Sequence, residues 1–467
     1  MRKHAVRTLL LALFLGVVQA VAEQPKVPRL DFTDQHLENG LRVIIAPDHS
    51  APVFAIAVTY NVGSRNERPG RTGFAHLFEH MMFQGSENVG KGEHFILILN
   101  NGGGMNGTTT EDRTNYFEEL PKNQLDLALF LEADRMRSLA VNQANVDNQR
   151  NAVQEERRLS IDNQPYGKAE LEIDNLSYDN FAYKHSTIGS MADLDAAGVA
   201  DVKDFFRIYY APNNAVVALV GDLDPRETLE KVKKYFAPIP SQPAPPKVDL
   251  TEPEHYGERR EVIYDPLARL PQLLISYHIP PGDTPENFQV QVLASILGGG
   301  GFGGGGFGGG GFGGGQSSRF YQHLVKEKQL AVSIQVRPEA RIGPSLLEII
   351  ATPRPGVKPE DLEKAIYEEI EAVQKEGVTN QEIEKARTQY LRGQIQGRQS
   401  AMSTAIRLGQ YAVFFNDPDL INTSFDKFNA VTEEQVKQAA QKYLVTSARA
   451  VVTTLPTKAG AKSTSGW

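Results

Sequence analysis

The sequence predicts an α+β protein of two similar domains, each a mostly antiparallel sheet packed with helices. One reason is length, because 467 residues exceed one ordinary hydrophobic core and favour two or more domains. A second reason is a short pattern that recurs at an offset of 234 positions and indicates a duplicated unit. The paired positions are Val202 with Val436, Lys203 with Lys437, Tyr209 with Tyr443, and Val217 with Val451.

A proline-rich stretch separates the two predicted domains. Six prolines fall between Pro238 and Pro253, a composition typical of a stiff, exposed connector rather than of a core. The expected segments are an N-terminal domain at residues 23–237, a linker at 238–260, a C-terminal domain at 261–456 and a disordered tail at 457–467.

Residues 1–22 have the features of a secretory signal peptide. A basic start precedes an apolar run from Leu9 to Val18, and the small residues Ala20 and Ala22 form a cleavage site. The apolar run is too short to span a bilayer, and no later segment offers about twenty uninterrupted apolar residues. We therefore expect an exported protein without a membrane span in the mature chain. A bacterial periplasm is the expected location, and secretion is the alternative.

Composition excludes some classes of function. With 40% hydrophobic and 23% charged residues, the chain has the composition of a globular protein. Its net charge of -8 would become more negative on loss of the basic leader, so nucleic acid is not an expected partner. The chain has no cysteine, and core packing alone must therefore hold the fold together.

Apolar alternation predicts the first strands and the first helix. Strand-like runs at residues 41–45 and 53–60 are separated by turn residues and are expected to pair antiparallel. Thr72 is expected to cap a helix that carries residues 76–80 and ends near Gln84.

The following segments alternate between helix and strand. A helix is expected at residues 93–99, followed by a glycine-rich stretch at 100–107 and a strand at 114–120. In the second half, a strand at 273–279 and a helix ending at Leu297 repeat this arrangement. Two more helices are predicted from capping boxes, Thr379 with Glu382 and Thr432 with Gln435.

The pattern H-x-x-E-H, formed by His76, Glu79 and His80, predicts a metal site. On a helix, residues four apart project from one face, so the two imidazoles can bind a single ion. Zinc held by two imidazoles and one carboxylate keeps a position for water and lowers the pKa of that water towards ~7. Glu79 would lie beside this water and could accept its proton, which is the chemistry of peptide hydrolysis. The alternative is a pair of histidines on a half-buried amphipathic helix.

A third ligand must come from elsewhere, and residues 148–158 offer two carboxylates on a predicted helix. Glu155 and Glu156 are adjacent, so their side chains point about 100° apart and only one can reach the metal. Geometry from the sequence does not choose between them. The alternative for this stretch is a solvated acidic and basic helix face.

Three motifs together resemble the M16 peptidases, the group of pitrilysin, insulysin and the mitochondrial processing peptidase. They are H-L-F-E-H at 76–80, N-G-G-G-M-N-G-T-T at 101–109 and N-A-V-Q-E-E-R-R at 151–158. The resemblance covers nearly the whole mature chain and implies the LuxS/MPP-like fold of the short-chain bacterial branch. It also implies a zinc endopeptidase for short or unfolded peptides, with Glu79 as general base. The third motif implies Glu156 as the zinc ligand beside His76 and His80, with Glu155 as the fallback.

The same resemblance implies how peptide binds. Family members bind peptide as an added strand along a sheet edge, which gives Asn106 and Gly107 a substrate-binding role. The alternative for Asn106 is a turn residue. In several members an acidic residue lies seven positions before the third ligand. Here that position is Gln149, which puts any help with proton transfer in doubt.

Residues 298–315 form a glycine-rich segment with Phe302, Phe307 and Phe312 at even spacing. As a flexible coil it would span about 20 Å, enough to sweep a cleft. A loop at the matching place resembles one in the non-catalytic subunit of the mitochondrial processing peptidase, where it is linked to substrate handling. The alternatives are a linker without selected function and a set of contacts for unfolded peptide.

The second half departs from the family at two positions. An Arg and a Tyr of other members reach the substrate there, and Val325 and Val332 fall where that pair is expected. Valine cannot donate a hydrogen bond to a developing oxyanion, so transition-state stabilisation would be incomplete in this chain alone. The resemblance implies the catalytic subunit of a heterodimer, whose homologous partner lacks the zinc motif. The alternatives are a self-sufficient homodimer and a catalytically weak scaffold or peptide-binding protein.

Overall fold

A computed structural model describes residues 27–255, 257–299 and 315–457. The expected signal peptide, most of the glycine-rich segment and nearly all of the expected tail lie outside these described residues. Within them the chain forms two sheets packed with helices, and the predicted α+β fold of two similar units is confirmed. None of the described helices is long and apolar enough to cross a membrane.

Six strands form the N-terminal sheet: β1 (Thr33–His36), β2 (Arg42–Pro47), β3 (Val53–Tyr60), β4 (Gly104–Thr109), β5 (Thr114–Pro121) and β6 (Ala215–Gly221). Their order in space is β1-β2-β6-β3-β5-β4. β6 is parallel to β2 and antiparallel to β3, and all of its residues are buried. β4 lies at an edge and pairs only with β5 among the described strands.

The prediction that residues 41–45 pair with residues 53–60 is wrong. β2 and β3 run in opposite directions, but β6 lies between them and forms hydrogen bonds with both. The sequence of β6, Ala-Val-Val-Ala-Leu-Val-Gly, is apolar on both faces, and such a strand is most stable in the centre of a covered sheet. The connection between β2 and β3 therefore crosses two strand spacings, about 10 Å, instead of forming a hairpin.

Helices connect the strands of the N-terminal half along the chain. α1 ends three residues before the predicted end at Gln84, and a π-helical turn at Arg158–Asp162 follows α4. The helices are α1 (Phe74–Met81), α2 (Glu93–Asn100), α3 (Leu125–Arg137), α4 (Gln143–Arg157), α5 (Gly167–Ser177), α6 (Phe181–Lys184), α7 (Met191–Asp195), α8 (Val199–Tyr209) and α9 (Pro225–Phe236).

Five strands form the C-terminal sheet: β7 (Arg259–Asp265), β8 (Gln272–Ile279), β9 (Ala331–Pro338), β10 (Ser345–Pro353) and β11 (Arg449–Pro456). Their order is β7-β11-β8-β10-β9. The helices of this half are α10 (Pro285–Gly298), α11 (Pro359–Glu376), α12 (Asn380–Gly397), α13 (Ala401–Phe415), α14 (Leu420–Asn429) and α15 (Glu433–Tyr443). The predicted capping boxes at Thr379 and Thr432 begin α12 and α15, which confirms both.

The recurring sequence pattern lies on matching elements of the two halves. Tyr209 ends α8 before β6, and Tyr443 ends α15 before β11. β11 is parallel to β7 and antiparallel to β8, just as β6 is parallel to β2 and antiparallel to β3. The two sheets therefore share the arrangement of their central strands, as expected from duplication.

Each sheet is covered on one face by a helix from the other half of the chain. α13 packs through Ala405 and Leu408 on the face of the N-terminal sheet that faces away from α1. α5 packs through Ala169 and Ile173 on the C-terminal sheet, against Leu274 among others. Because each half completes the core of the other, the two halves share apolar interfaces that neither would bury alone.

Candidate metal centre

A buried glutamate holds the N-terminus of α1, the helix that carries the H-x-x-E-H pattern. The Glu67 carboxylate accepts hydrogen bonds from the backbone N–H groups of Gly73, at 2.9 Å, and Ala75, at 2.7 Å. These N–H groups have no partner within the helix, and the helix dipole favours a negative charge at this end. Burial raises the pKa of Glu67, although the neighbouring His185, with Nε2 at 3.0 Å, opposes this shift.

The prediction that Thr72 caps α1 is wrong. Gly73 is the N-cap residue, with a φ of 85° that favours glycine. An added Cβ there would lie 2.6 Å from the carbonyl oxygen of Ile188, so no side chain fits at this position. The Thr72 hydroxyl donates instead to Asp193 Oδ2 at 2.5 Å, which ties the start of α1 to α7.

The packing of α1 against α4 brings His76, His80 and Glu156 together. Glu156 Oε1 lies 3.6 Å from His76 Nε2, and Glu156 Oε2 lies 3.2 Å from His80 Nε2. The two imidazole rings are nearly perpendicular, with an interplanar angle of 89° and centroids 4.8 Å apart. Potential ligand atoms of all three side chains lie within 4.8 Å of one another.

The spacing of these donor atoms fits a zinc ion. Zinc bonds of about 2.0–2.2 Å in a tetrahedron place neighbouring donors about 3.4 Å apart. The two measured distances of 3.2 and 3.6 Å lie on either side of that value. Two imidazoles and one carboxylate also form a ligand set that zinc accepts with a fourth position left for water.

The charges of His76 and Glu156 suit metal binding, whereas the raised pKa of His80 favours a protonated imidazole that a metal ion would have to deprotonate. Burial, followed by the neighbouring charge of His80, lowers the pKa of His76 to about 4, so this imidazole is neutral at pH 7. Burial alone would lower the pKa of His80, but the hydrogen bond and charge of Glu156 raise it. The hydrogen bond from His80 lowers the pKa of Glu156, so the carboxylate is ionised. A neutral imidazole and an ionised carboxylate are the forms that bind metals.

The two adjacent glutamates of α4 face different surroundings. Glu156 faces the histidines, whereas the Glu155 side chain is 58% exposed and contacts Arg158 at 3.1 Å. Two turns earlier on α4, Gln149 lies near His80 and contributes to the raised pKa of its imidazole. A neutral amide can orient the imidazole of His80, but it cannot exchange a proton with it.

Glu79 lies beside the three potential ligands in a narrow, buried site. The hydroxyl of Thr109 donates to Glu79 Oε2 at 2.6 Å, and an added Cβ on Gly107 would lie 3.0 Å from Glu79 Oε1. Burial raises the pKa of Glu79, and the bond from Thr109 opposes that shift. A carboxylate with a raised pKa is a better proton acceptor at neutral pH than an exposed one.

Strand β4 presents Glu79 with one face and leaves an edge free. Gly107 and Thr109 lie on the same face of the strand, towards Glu79, whereas Asn106 lies on the opposite face and is exposed. The Asn106 side chain accepts a hydrogen bond from the backbone N–H of Gly107 at 2.9 Å. No other described strand pairs with the outer edge of β4, so an extended peptide could add to the sheet there as a further strand.

Val325 and Val332 lie in the C-terminal half on two sides of one turn. Val325 belongs to a π-helix at Tyr321–Glu327 and is 8% exposed, whereas Val332 in β9 is 50% exposed. Arg354 contacts this turn, since its guanidinium donates to the carbonyl oxygens of Val325 and Ala331. Neither valine offers a hydrogen-bond donor on its side chain.

Two further groups of potential ligands occur in the described residues, His94 with Glu118 and Glu132, and Glu252 with His255 and His278. His94 Nε2 is 2.5 Å from Glu118 Oε1, and Glu132 pairs with Arg135. His255 Nε2 lies 2.9 Å from Glu252 Oε1, a hydrogen-bond distance that is shorter than the spacing of two tetrahedral ligands. Both groups are therefore explained by hydrogen bonds within the protein.

Sequence reasoning missed two residues that shape this site. Thr109 lies two positions after Gly107, and recognition of β4 as a strand would have placed both on one face. Glu67 acts across a loop on N–H groups six and eight positions later, a spacing that no capping motif contains.

Comparison with known proteins gives one consistent family. Two family profiles match the chain in order, "Insulinase (Peptidase family M16)" at residues 42–190 and "Peptidase M16 inactive domain" at residues 197–390. The zinc protease PqqE of Helicobacter pylori is 30% identical over 380 residues, which are 81% of this chain and 82% of that protein.

Solved structures agree with this assignment. The crystal structure of a protease from Helicobacter pylori has a TM-score of 0.85 and 28% identity, and covers 92% of this chain and 100% of its own. The first half of the periplasmic protease PqqL from Escherichia coli shares the fold, with a TM-score of 0.71 at 18% identity over 92% of this chain and 93% of its own. The chain, with its two-sheet α+β fold, belongs to peptidase family M16.

Proposed function

We propose that the chain is a zinc-dependent endopeptidase that hydrolyses short or unfolded peptides. The observation that carries this proposal is the arrangement of His76, His80 and Glu156 at tetrahedral spacing, with Glu79 beside them. The first three side chains would hold zinc, and Glu79 would act as general base. The name of the Helicobacter pylori relative, a zinc protease, supports the same assignment.

The chain's own residues supply binding, orientation and proton transfer. A zinc ion at this site would lower the pKa of its water and polarise the scissile carbonyl group. Asn106 and Gly107 lie on the free edge of β4, where main-chain hydrogen bonds would hold the peptide as an added strand. Glu79 accepts a proton from the attacking water and passes it to the leaving amine, while Thr109 fixes the carboxylate.

We also propose that the chain is the catalytic subunit of a heterodimer in the periplasm. Val325 and Val332 provide no donor for the developing oxyanion, so a homologous subunit without the zinc motif would complete the cleft. The basic and apolar leader at residues 1–22 supports export. We propose that the glycine-rich segment at residues 298–315 takes part in substrate handling.

Substitution of the two adjacent glutamates tests the zinc site. Glu156→Gln is expected to weaken zinc binding by more than the roughly 10- to 100-fold that outer-shell changes cause, because a neutral amide replaces a charged ligand. Glu155→Gln is the matched control and should change zinc affinity little, since its side chain faces solvent. Zinc affinity is measured by competition with a chromogenic chelator. Equal losses in both variants, or the reverse order, would contradict the ligand assignment.

Gly107→Ala tests the space beside Glu79. The added Cβ would lie 3.0 Å from Glu79 Cγ and Oε1, so it should displace the carboxylate and lower kcat about ten-fold without loss of zinc. Gly104→Ala on the same strand is the control, because its Cβ would have no heavy atom within 4 Å. We expect kcat and zinc content near wild type for Gly104→Ala. Equal kcat in the two variants would show that close contact with Gly107 does not position Glu79.

A further inference from the structure

Asp112 fastens the turn between β4 and β5 to the C-terminal half of the chain. Its side chain is 2% exposed and accepts three hydrogen bonds. Oδ1 accepts from Arg65 Nη1 at 2.6 Å and from the Tyr183 hydroxyl at 2.8 Å. Oδ2 accepts from the backbone N–H of Ile342 at 2.8 Å, and Ile342 lies in the loop between β9 and β10. One carboxylate thus joins both halves of the chain.

Tyr183 connects the same loop to Asp112 a second time. Its hydroxyl accepts a hydrogen bond from the backbone N–H of Gly343 at 3.0 Å and donates to Asp112. An added Cβ at Gly343 would lie 2.8 Å from Tyr183 Cε2, so the loop backbone packs directly on the ring. The buried guanidinium of Arg341 lies over the rings of Tyr178 and Tyr183, at 5.3 and 5.1 Å from their centroids.

The turn that Asp112 fixes directly follows Thr109, the residue that contacts Glu79. Thr109, the last residue of β4, donates to the Glu79 carboxylate. The next residue, Thr110, donates its backbone N–H to the Arg113 carbonyl at 2.8 Å, and Arg113 Nη1 donates to the Thr108 carbonyl at 3.0 Å. These bonds make the turn a compact unit, so a shift at Asp112 moves Thr109 as well.

We propose that the C-terminal half positions the general base of its own chain. The backbone N–H groups of the loop residues Ile342 and Gly343 donate to Asp112 and Tyr183. These two side chains fix the β4–β5 turn, and the turn positions the Thr109 hydroxyl that donates to Glu79. The inference rests on the proposed function, in which Glu79 is the base. Asp112 and Tyr183 are positioning residues, because they act through Thr109 and not on substrate. This role is separate from any contribution of a partner subunit.

A matched pair of tyrosines tests the proposal. Tyr183→Phe removes the hydroxyl that links Gly343 to Asp112, and Tyr178→Phe removes a hydroxyl that donates to Pro344 in the same loop at 2.9 Å. Both rings are buried, and both variants keep the ring against Arg341. Tyr178→Phe loses one hydrogen bond and Tyr183→Phe loses two, so we expect drops in Tm of roughly 2 °C and up to about twice that value, respectively.

The two variants should differ in catalysis. With the zinc-loaded chain and its partner, Tyr183→Phe is expected to lower kcat about ten-fold at unchanged KM and zinc content, because only Glu79 is misplaced. Tyr178→Phe is expected to keep wild-type kcat, because its hydroxyl does not contact Asp112. Equal kcat in both variants, or a Tyr183→Phe effect confined to KM or zinc content, would overturn the proposal.

Amide hydrogen exchange of the metal-free protein gives a readout that needs no activity. Peptides spanning residues 104–113 should exchange faster in Tyr183→Phe than in wild type and remain unchanged in Tyr178→Phe. Equal exchange in both variants would overturn the proposal. If the wild-type chain with its partner hydrolyses no peptide, the proposed function fails, and the exchange experiment alone then decides whether the loop holds the turn.

Discussion

Replacement of Glu79 by glutamine is expected to leave zinc binding intact and to lower peptide turnover about 10²- to 10⁴-fold, the usual contribution of a general base. Glutamine has the same shape as glutamate, so its amide oxygen can still accept the hydrogen bond from Thr109, at 2.6 Å in the native site. The close contact with Gly107 also remains. The amide, however, cannot accept a proton from the attacking water, and only this step is lost.

The measurement combines zinc content with kcat/KM on a quenched fluorescent peptide. Glu155→Gln is again the control, because it makes the same change from carboxylate to amide on an exposed side chain of a neighbouring helix. Full turnover by zinc-loaded Glu79→Gln would rule out Glu79 as the base. Loss of zinc together with turnover would instead assign Glu79 to the metal.

Local sequence patterns predicted the features whose interactions lie within a few positions. The capping boxes at Thr379 and Thr432 need only residues three apart, and both begin helices. The H-x-x-E-H pattern lies within two turns of α1, which fixes which side chains share a face. The family resemblance then supplied Glu156, which local geometry alone could not separate from Glu155.

Features that depend on distant segments could not be read from the sequence. One of the two partners of β3 is β6, a strand more than 150 residues later, and nothing near residues 41–60 indicates that β6 lies between β2 and β3. The sequence also does not predict that α5 and α13 each pack on the sheet of the other half. The apolar face of a helix shows that the helix is covered, but it does not identify the sheet that it contacts. The role of Asp112 could not be predicted for the same reason, since Ile342, which donates to it, lies 230 positions away in the sequence.

The purified chain alone is expected to hydrolyse peptides roughly 10² to 10³ times more slowly than the chain with a homologous subunit that supplies the missing Arg and Tyr. That ratio is what loss of a single oxyanion donor usually costs. Val325 is buried and Val332 half-exposed, and neither side chain can donate a hydrogen bond. The three proposed zinc ligands all belong to this chain, so zinc content should not depend on the partner.

Introducing the missing Arg and Tyr into this chain, as Val325→Arg and Val332→Tyr, should recover little activity, for two structural reasons. Val325→Arg places a guanidinium where the native side chain is 8% exposed, which is costly without a buried partner, whereas Val332→Tyr has room at a 50% exposed position. In addition, the buried loop around Arg341 and the exchanged helices α5 and α13 fasten the two halves to each other. A second half held in this way has little freedom to move over the proposed zinc site of its own chain, which is why the proposal takes the donors from another subunit.

The decisive comparison is kcat/KM for the zinc-loaded chain, verified free of partners, against the reconstituted pair at equal zinc content. A large increase on reconstitution supports the heterodimer, and it should be lost again when the partner's Arg and Tyr are removed. Equal values would show that the chain needs no heterologous partner, and a dimeric mass of the isolated chain would then identify the active homodimer. Absence of both zinc and activity in either preparation would favour the scaffold, because a general base without a metal site cannot activate water for peptide hydrolysis.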